Sequence, residues 1–225
     1  MNMLKKVFIL SLLLQSCHNE TLKKPINTQT LVAFEDTTKQ YGWGYKDLNG
    51  QVIIEPQYSH VQTDTFSNAV AFVFEKRYEM NDERHGYIAI DKQNRFVLKP
   101  FIFDNGPDYI EEGLFRFLEN GDVGNGGKMG FANLNGEKVI PARFTFVTPF
   151  FEGMASFCYD CQKKHFGEHW KMEGKGGVID KNGKEVIPAQ FDDIISGFKN
   201  GKAEVVKNGV RIYINTKGEQ VKNEK

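Results

Sequence analysis

Two thiols and two imidazoles fall within twelve residues of this chain: Cys158, Cys161, His165 and His169, in the run from Cys158 to Trp170. Cys-x-x-Cys followed by His-x-x-x-His supplies the ligand types and ligand number of a structural zinc site. The gap between Cys161 and His165 is shorter than in ordinary finger spacing. The same two thiols can instead close a disulfide, the usual outcome for neighbouring cysteines outside the cytoplasm. Free, redox-active thiols are the third option, and a thioredoxin-like role needs the motif at a helix start to lower the thiol pKa. Here the motif follows a strand-like run. The expectation is a Cys158–Cys161 disulfide, with zinc on Cys158, Cys161, His165 and His169 as the alternative and no other cofactor implied.

Elsewhere the chemistry-bearing residues have plainer roles. Glu111-Glu112, Asp192-Asp193 and Asp82-Glu83 are carboxylate pairs, but a glycosidase needs two carboxylates facing each other across a cleft. No spacing favours any pair, so no catalytic residue is assigned. The Gly-rich run Gly121 to Gly127 has no following Lys-Ser/Thr and helix, which a phosphate cradle requires. It reads as a loop. No serine stands in a nucleophile elbow.

The elements that would position such residues repeat. Gly176-Gly177-Val178-Ile179-Asp180-Lys181-Asn182-Gly183, then Val186-Ile187-Pro188 and Phe191, is one copy. Gly44 to Tyr58 is another, with its turn at Asp47 to Gly50 and its proline at Pro56. A degenerate copy runs from Gly86 through Asp91 and Asn94 to Pro100, with Asn94 where glycine stands elsewhere. Asparagine tolerates a left-handed backbone better than other non-glycine residues, which keeps the turn. Gly130 to Phe144 carries Gly136 and Pro141, and Ile212 to Val221 is a truncated fifth copy. The turn positions are spaced by 44, 42, 47 and 35 residues, a period that marks a repeat architecture. The Asp-x-Asn-Gly element suits a short hairpin loop. Proline, which cannot donate to a ladder, ends the second strand or sits at an edge.

A third segment follows in several copies, as in Phe66 to Val73, Phe151 to Phe157 and Phe198 to Val205. In the last of these Ala203 and Val205 alternate with Lys202 and Glu204, the period of a half-buried strand. Leu31-Val32-Ala33-Phe34 matches that third strand, with Ala33 aligned on Ala71 and Ala203. The fold expected is all-β: tandem repeats of about three short antiparallel strands in an open array, over residues 31–225. A closed propeller-like or barrel-like arrangement is the alternative. Tyr58, Phe101, Phe144 and Phe191 fall at equivalent places and read as core.

The pattern Gly-aromatic-x-Asp-x-x-Gly, then Val-Ile-Pro-x-x-Phe/Tyr, then Phe-x-x-Gly-x-Ala resembles the bacterial WG (or KWG) β-repeat family. Trp43-Gly44 retains the signature pair, while Lys128-Met129-Gly130 and Lys175-Gly176-Gly177 keep the lysine and replace the tryptophan. The resemblance implies an extracytoplasmic or effector-type repeat module. The family carries no agreed catalytic residues, so none transfers.

The N-terminus suggests location. Lys5-Lys6 and the apolar run Val7 to Leu14 read as a signal peptide over residues 1–16. Leu14-Gln15-Ser16-Cys17 resembles a lipobox, which implies lipidation of Cys17 and a polar tether over residues 17–30. The chain carries 29 basic and 29 acidic residues; without Lys5 and Lys6 it keeps 27 basic against the same 29. That balance argues against nucleic acid as a partner. No apolar stretch reaches the length of a membrane-spanning helix. The expectation is a lipid-anchored protein of the bacterial cell envelope, with secretion as the alternative. It is a non-catalytic module that binds an envelope protein or glycan. An envelope hydrolase using a carboxylate pair is the second reading, and a metal-stabilised module the third.

Overall fold

Each copy of the repeat turns on one side-chain acceptor. Asp47 Oδ1 accepts the backbone N–H groups of Asn49 and Gln51, each at 2.9 Å. Asp91, Asn133, Asp180 and Asn215 accept from the same two relative positions. The fourth turn residue is left-handed in every copy, with φ of 88° at Gly50 and 61° at Asn94. This is the three-residue hairpin loop that closes with a left-handed residue, and it explains why asparagine alone replaces glycine there.

The computed structural model describes residues 29–76, 84–167 and 169–222. Among them are 23 strands and no helix, and every strand pair is antiparallel. Five sheets carry the architecture. The first joins Val52–Tyr58, Trp43–Asp47, Leu31–Glu35 and Thr65–Phe66. The second joins His60–Val61, Ala71–Glu75, Gly86–Ile90 and Phe96–Leu98. The third has Leu114–Glu119, Lys128–Asn133 and Lys138–Phe144. The fourth orders Phe146–Val147, Met154–Cys158, Gly176–Asp180 and Glu185–Phe191. The fifth orders Asp193–Ile194, Lys202–Lys207, Val210–Asn215 and Gln220–Val221. The hairpin of each sequence unit therefore pairs with the third strand of the unit before it, so the three strands of one unit are divided between two sheets.

Strand register corrects two alignments. Val32, not Ala33, pairs with Lys46 as Ala71 pairs with Ile90 and Ala203 with Ile214. Relative to the turn, Ile88, not Gly86, stands where Gly44, Gly130 and Gly177 stand. The glycine has a reason. Between Trp43↔Tyr58 and Tyr45↔Ile54 the second strand holds two extra residues, a bulge that brings Pro56 against the first strand. A Cβ on Gly44 would meet Ile54 O at 2.5 Å and Pro56 N at 2.8 Å. The same bulge recurs opposite Gly130 and Gly177. At Ile88 the second strand stops at Leu98, before a bulge can form.

Successive sheets pack face to face on four cores. Leu31, Tyr45 and Ile54 meet Ala71, Val73 and Ile88 between the first two sheets. Phe72 and Leu98 meet Phe115 and Phe117 next. Met129, Phe131 and Phe144 meet Ala155, Phe157 and Ile179, and Val178, Ile187 and Phe191 meet Ala203, Val205 and Ile214. Alternate residues of each inner strand thus enter different cores, the period of two expected for a strand buried on both faces. Tyr58, Phe101, Phe144 and Phe191 are all buried.

Among the described residues no core joins the fifth sheet to the first, so the array is open. Its ends are dressed accordingly. The outer face of the fifth sheet carries the Glu204–Arg211 ion pair at 3.4 Å, and Lys46 Nζ covers the Phe34 ring on the first sheet at 5.6 Å. Polar end faces are what a stacked repeat array needs to stay soluble.

Candidate functional site

What does not repeat is concentrated on the third and fourth sheets. In three sheets a hydroxyl accepts the N–H of the second or third residue of the Ala-type strand. Thr63 takes it from Phe72, Thr148 from Ser156 and Ser196 from Glu204, each at 3.0 Å. In the third sheet that acceptor is Asp108, bonded to Arg116 N at 3.2 Å. Asp108 also takes the guanidinium, with Nε 2.7 Å from Oδ2. Arg116 then donates to Val147 O at 2.9 Å and lies 4.6 Å from the Phe101 ring and 6.0 Å from Phe146.

The Cys/His stretch is an insertion between two strands of the fourth sheet. Cys158 and Cys161 are joined by a disulfide, Cα atoms 5.9 Å apart, and both are buried. Beyond it a two-stranded ribbon pairs Gln162–Phe166 with His169–Glu173. His165 pairs with Trp170 and Phe166 with His169, so the two imidazoles lie on opposite faces of the ribbon. The four proposed zinc ligands are therefore not brought to one point: the sulfurs are bonded to each other and the imidazoles diverge. Among the described residues no three His, Cys, Asp or Glu side chains group as a metal site.

Trp170 faces back toward the frame. Its ring meets Phe146 edge-on at 5.9 Å, and Lys163 Nζ lies 4.6 Å over it. Beside it opens a cleft of about 630 Å³, walled by Phe103, Phe146, Trp170 and Ile194, with Ser156 and Lys171 on its lining and Asp104, Asp192 and Asp193 beside them. That volume lies within the usual range for a small-ligand site. A second cleft of about 760 Å³ shares Ile102 and Trp170 with the first and is lined by Phe101, Phe117, Lys99 and Lys163.

Two residues on the lining of the first cleft depart from the repeat. Trp43, Met129 and Gly176 hold the same register position, each opposite the aromatic that ends the bulge, in Trp43↔Tyr58, Met129↔Phe144 and Gly176↔Phe191. Trp43 and Met129 pack into cores there. At Gly176 the place is taken by Ile194 of the fifth sheet, whose Cδ1 lies 3.1 Å from where a Cβ would stand, and Ser156 stands where the second sheet has Phe72 and the third has Arg116.

Four stretches match the model of the WG containing repeat: residues 43–76, 89–121, 129–160 and 177–210. Together they span more than half of the chain. This chain belongs to the WG-repeat family. No curated protein and no solved structure matches it. Each WG repeat begins on one sheet and ends on the next. The insertion ribbon falls between the third and fourth WG repeats, outside both. Among the carboxylates singled out in the sequence, Glu112 takes the N–H of Gly153 at 3.1 Å and Lys181 at 3.1 Å. Asp192 takes Lys175 and the N–H of Gly209, and the Lys175 bond holds its carboxyl below the usual range. Asp82 and Glu83 lie outside the described residues, as do residues 1–28, which hold the segment read as a signal peptide, Cys17 and most of the segment read as a tether. Sequence reasoning missed Asp108, Arg116 and Ser156.

Proposed function

We propose that this WG-repeat chain is a non-catalytic binding module, held on the bacterial cell envelope by lipidated Cys17, that engages an envelope protein or glycan. The observation that carries the reading is the cleft between the unrepeated ribbon and the frame. It is walled by aromatic rings, with a hydroxyl and carboxylates among its lining residues. Such concave, mostly apolar sites with a few polar groups are where ligands bind. Against catalysis stands the engagement of Glu112 and Asp192, which serve as acceptors for neighbouring turns and lysines. The test is capture from envelope extract by the full chain, compared with a chain whose ribbon from Gln162 to Glu173 is replaced by a two-residue turn. Retention of one protein or glycan fraction by the first alone supports the reading. Equal retention by both, or turnover of an envelope glycan by the purified chain, overturns it.

A further inference from the structure

We infer that Asn120 and Asn125 are sites of spontaneous modification, each converting through a succinimide to aspartate and isoaspartate. The chain holds eight Asn-Gly steps. In such a step the glycine nitrogen attacks the asparagine Cγ. Glycine allows this best, because it has no Cβ to obstruct the approach and the freest backbone. The nitrogen must first give up its proton, so a glycine N–H held by an acceptor in a rigid turn is protected.

Six of the eight steps have that protection. In the repeat turns Gly50 N–H donates to Asp47 O at 3.1 Å, and Gly136 and Gly183 donate to Asn133 O and Asp180 O at 2.9 Å. Gly106 lies in a hairpin rung opposite Phe103. Carboxylates from elsewhere in the chain hold the other two: Gly201 donates to Glu152 Oε2 at 2.8 Å and Gly209 to Asp192 Oδ2 at 3.0 Å. The turns that call for asparagine and glycine therefore also shield them.

Asn120-Gly121 and Asn125-Gly126 are the exceptions. Both lie in the loop between Leu114–Glu119 and Lys128–Asn133. Asn125 N and Gly127 N donate to Asp122 O, but the N–H groups of Gly121 and Gly126 have no acceptor among the described residues. Neither carboxamide is hydrogen-bonded there, and all four residues are exposed to water. The deprotonated glycine nitrogen adds to Cγ, the bond from Cγ to the amide nitrogen breaks, and ammonia leaves with the proton. Water then opens the ring. Breaking the bond from nitrogen to Cγ gives aspartate, and breaking that to the backbone carbonyl carbon gives isoaspartate. Amide and water become acid and ammonia, with nothing oxidised. Each conversion adds one negative charge. At Asn120 it falls on the lining of the second cleft, beside the Lys138–Glu119 ion pair. The same loop seats the ribbon, since a Cβ on Gly124 would stand 2.7 Å from Lys163 Cβ.

The test is incubation of the full chain in mildly alkaline buffer, followed by tryptic digestion and mass spectrometry with isoaspartate detection. One tryptic peptide, Phe117 to Lys128, carries both sites. It converts about tenfold faster than the other six steps, the scale of one backbone hydrogen bond kept intact. In urea all eight steps convert at similar rates. Glu152→Ala removes the acceptor of Gly201 and raises conversion at Asn200 toward the loop rate, whereas Glu152→Gln, which keeps an acceptor oxygen, leaves it low. Equal rates at all eight steps of the folded chain, an unmodified loop peptide, or no change at Asn200 in folded Glu152→Ala overturns the inference. The ranking within the parent chain decides whether or not that variant folds.

Discussion

Asp108 and Arg116 form a buried ion pair at a position where three other sheets use a hydroxyl and an uncharged or exposed residue. Their side chains are 1 % and 4 % exposed. Thr63 faces Phe72 and Thr148 faces Ser156 at the equivalent places. The pair is a local exchange inside a conserved backbone contact, since Asp108 still accepts the strand N–H that the hydroxyls accept. Through Arg116 it binds three elements at once: its own sheet, the Asp108 segment and the carbonyl of Val147 on the fourth sheet.

Removing one partner leaves a buried charge alone. Asp108→Ala is expected to destabilise the chain by about 3–5 kcal/mol. The double change Asp108→Thr with Arg116→Phe copies the second sheet and is expected to recover most of that loss. Urea unfolding of the two variants decides it. A double variant no more stable than the single would show that the position is not interchangeable between sheets.

The repeat glycine is a packing requirement. Gly130→Ala places a Cβ 2.7 Å from Ala142 N across the bulge. Overpacking of this kind costs about 1–3 kcal/mol, to be read as a lowered midpoint in thermal unfolding. Gly113→Ala, with open space around it but a φ of 81°, tests strain alone.

Glu112 ties the third sheet to the fourth, and the Gly153 N–H it accepts, helped by Lys181, holds its carboxyl below the usual range. A depressed folded pKa contributes stability above the unfolded value, and that contribution is lost as pH falls through the folded one. The difference in unfolding temperature between the parent and Glu112→Gln is therefore expected to be present near pH 7 and to vanish in acid. A gap that persists below about pH 3 contradicts the assignment.

The disulfide closes the entry to the insertion. In chain-entropy terms a loop this short contributes about 2 kcal/mol. Cys158→Ser with Cys161→Ser is expected to speed proteolysis inside residues 162–173 while the frame stays resistant. Uniform cleavage along the chain would mean that the link stabilises the whole array.

Replacing Cys17 by serine is expected to move the protein from the membrane fraction to the soluble one. Unchanged fractionation removes the lipid anchor from the proposal.

The frame was legible in the sequence because its determinants are local. Asp47, Asp91, Asp180 and their glycine or asparagine partners act within five residues, and Val-Ile-Pro punctuates within the same hairpin. Register was harder: Ala33 and Gly86 look like motif residues, yet cross-strand pairing puts Val32 in the first place and the count back from Asp91 puts Ile88 in the second. The site was least legible. Asp108 and Arg116 belong to no motif, and the cleft lining is drawn from segments far apart in the chain, from Ile102 to Ile194. In the Cys/His run the disulfide expected of Cys158 and Cys161 is formed, while alternation along the ribbon sends His165 and His169 to opposite faces.

The division of every sequence unit between two sheets has a mechanical consequence. The chain is laid like bricks in running bond: wherever two sheets meet, a single covalent unit crosses the joint. Splitting the array between sheets must tear a unit, and cutting it between units must strip a strand from a sheet. Neither kind of boundary offers a clean seam. An array this short can therefore leave its ends open without coming apart at the middle.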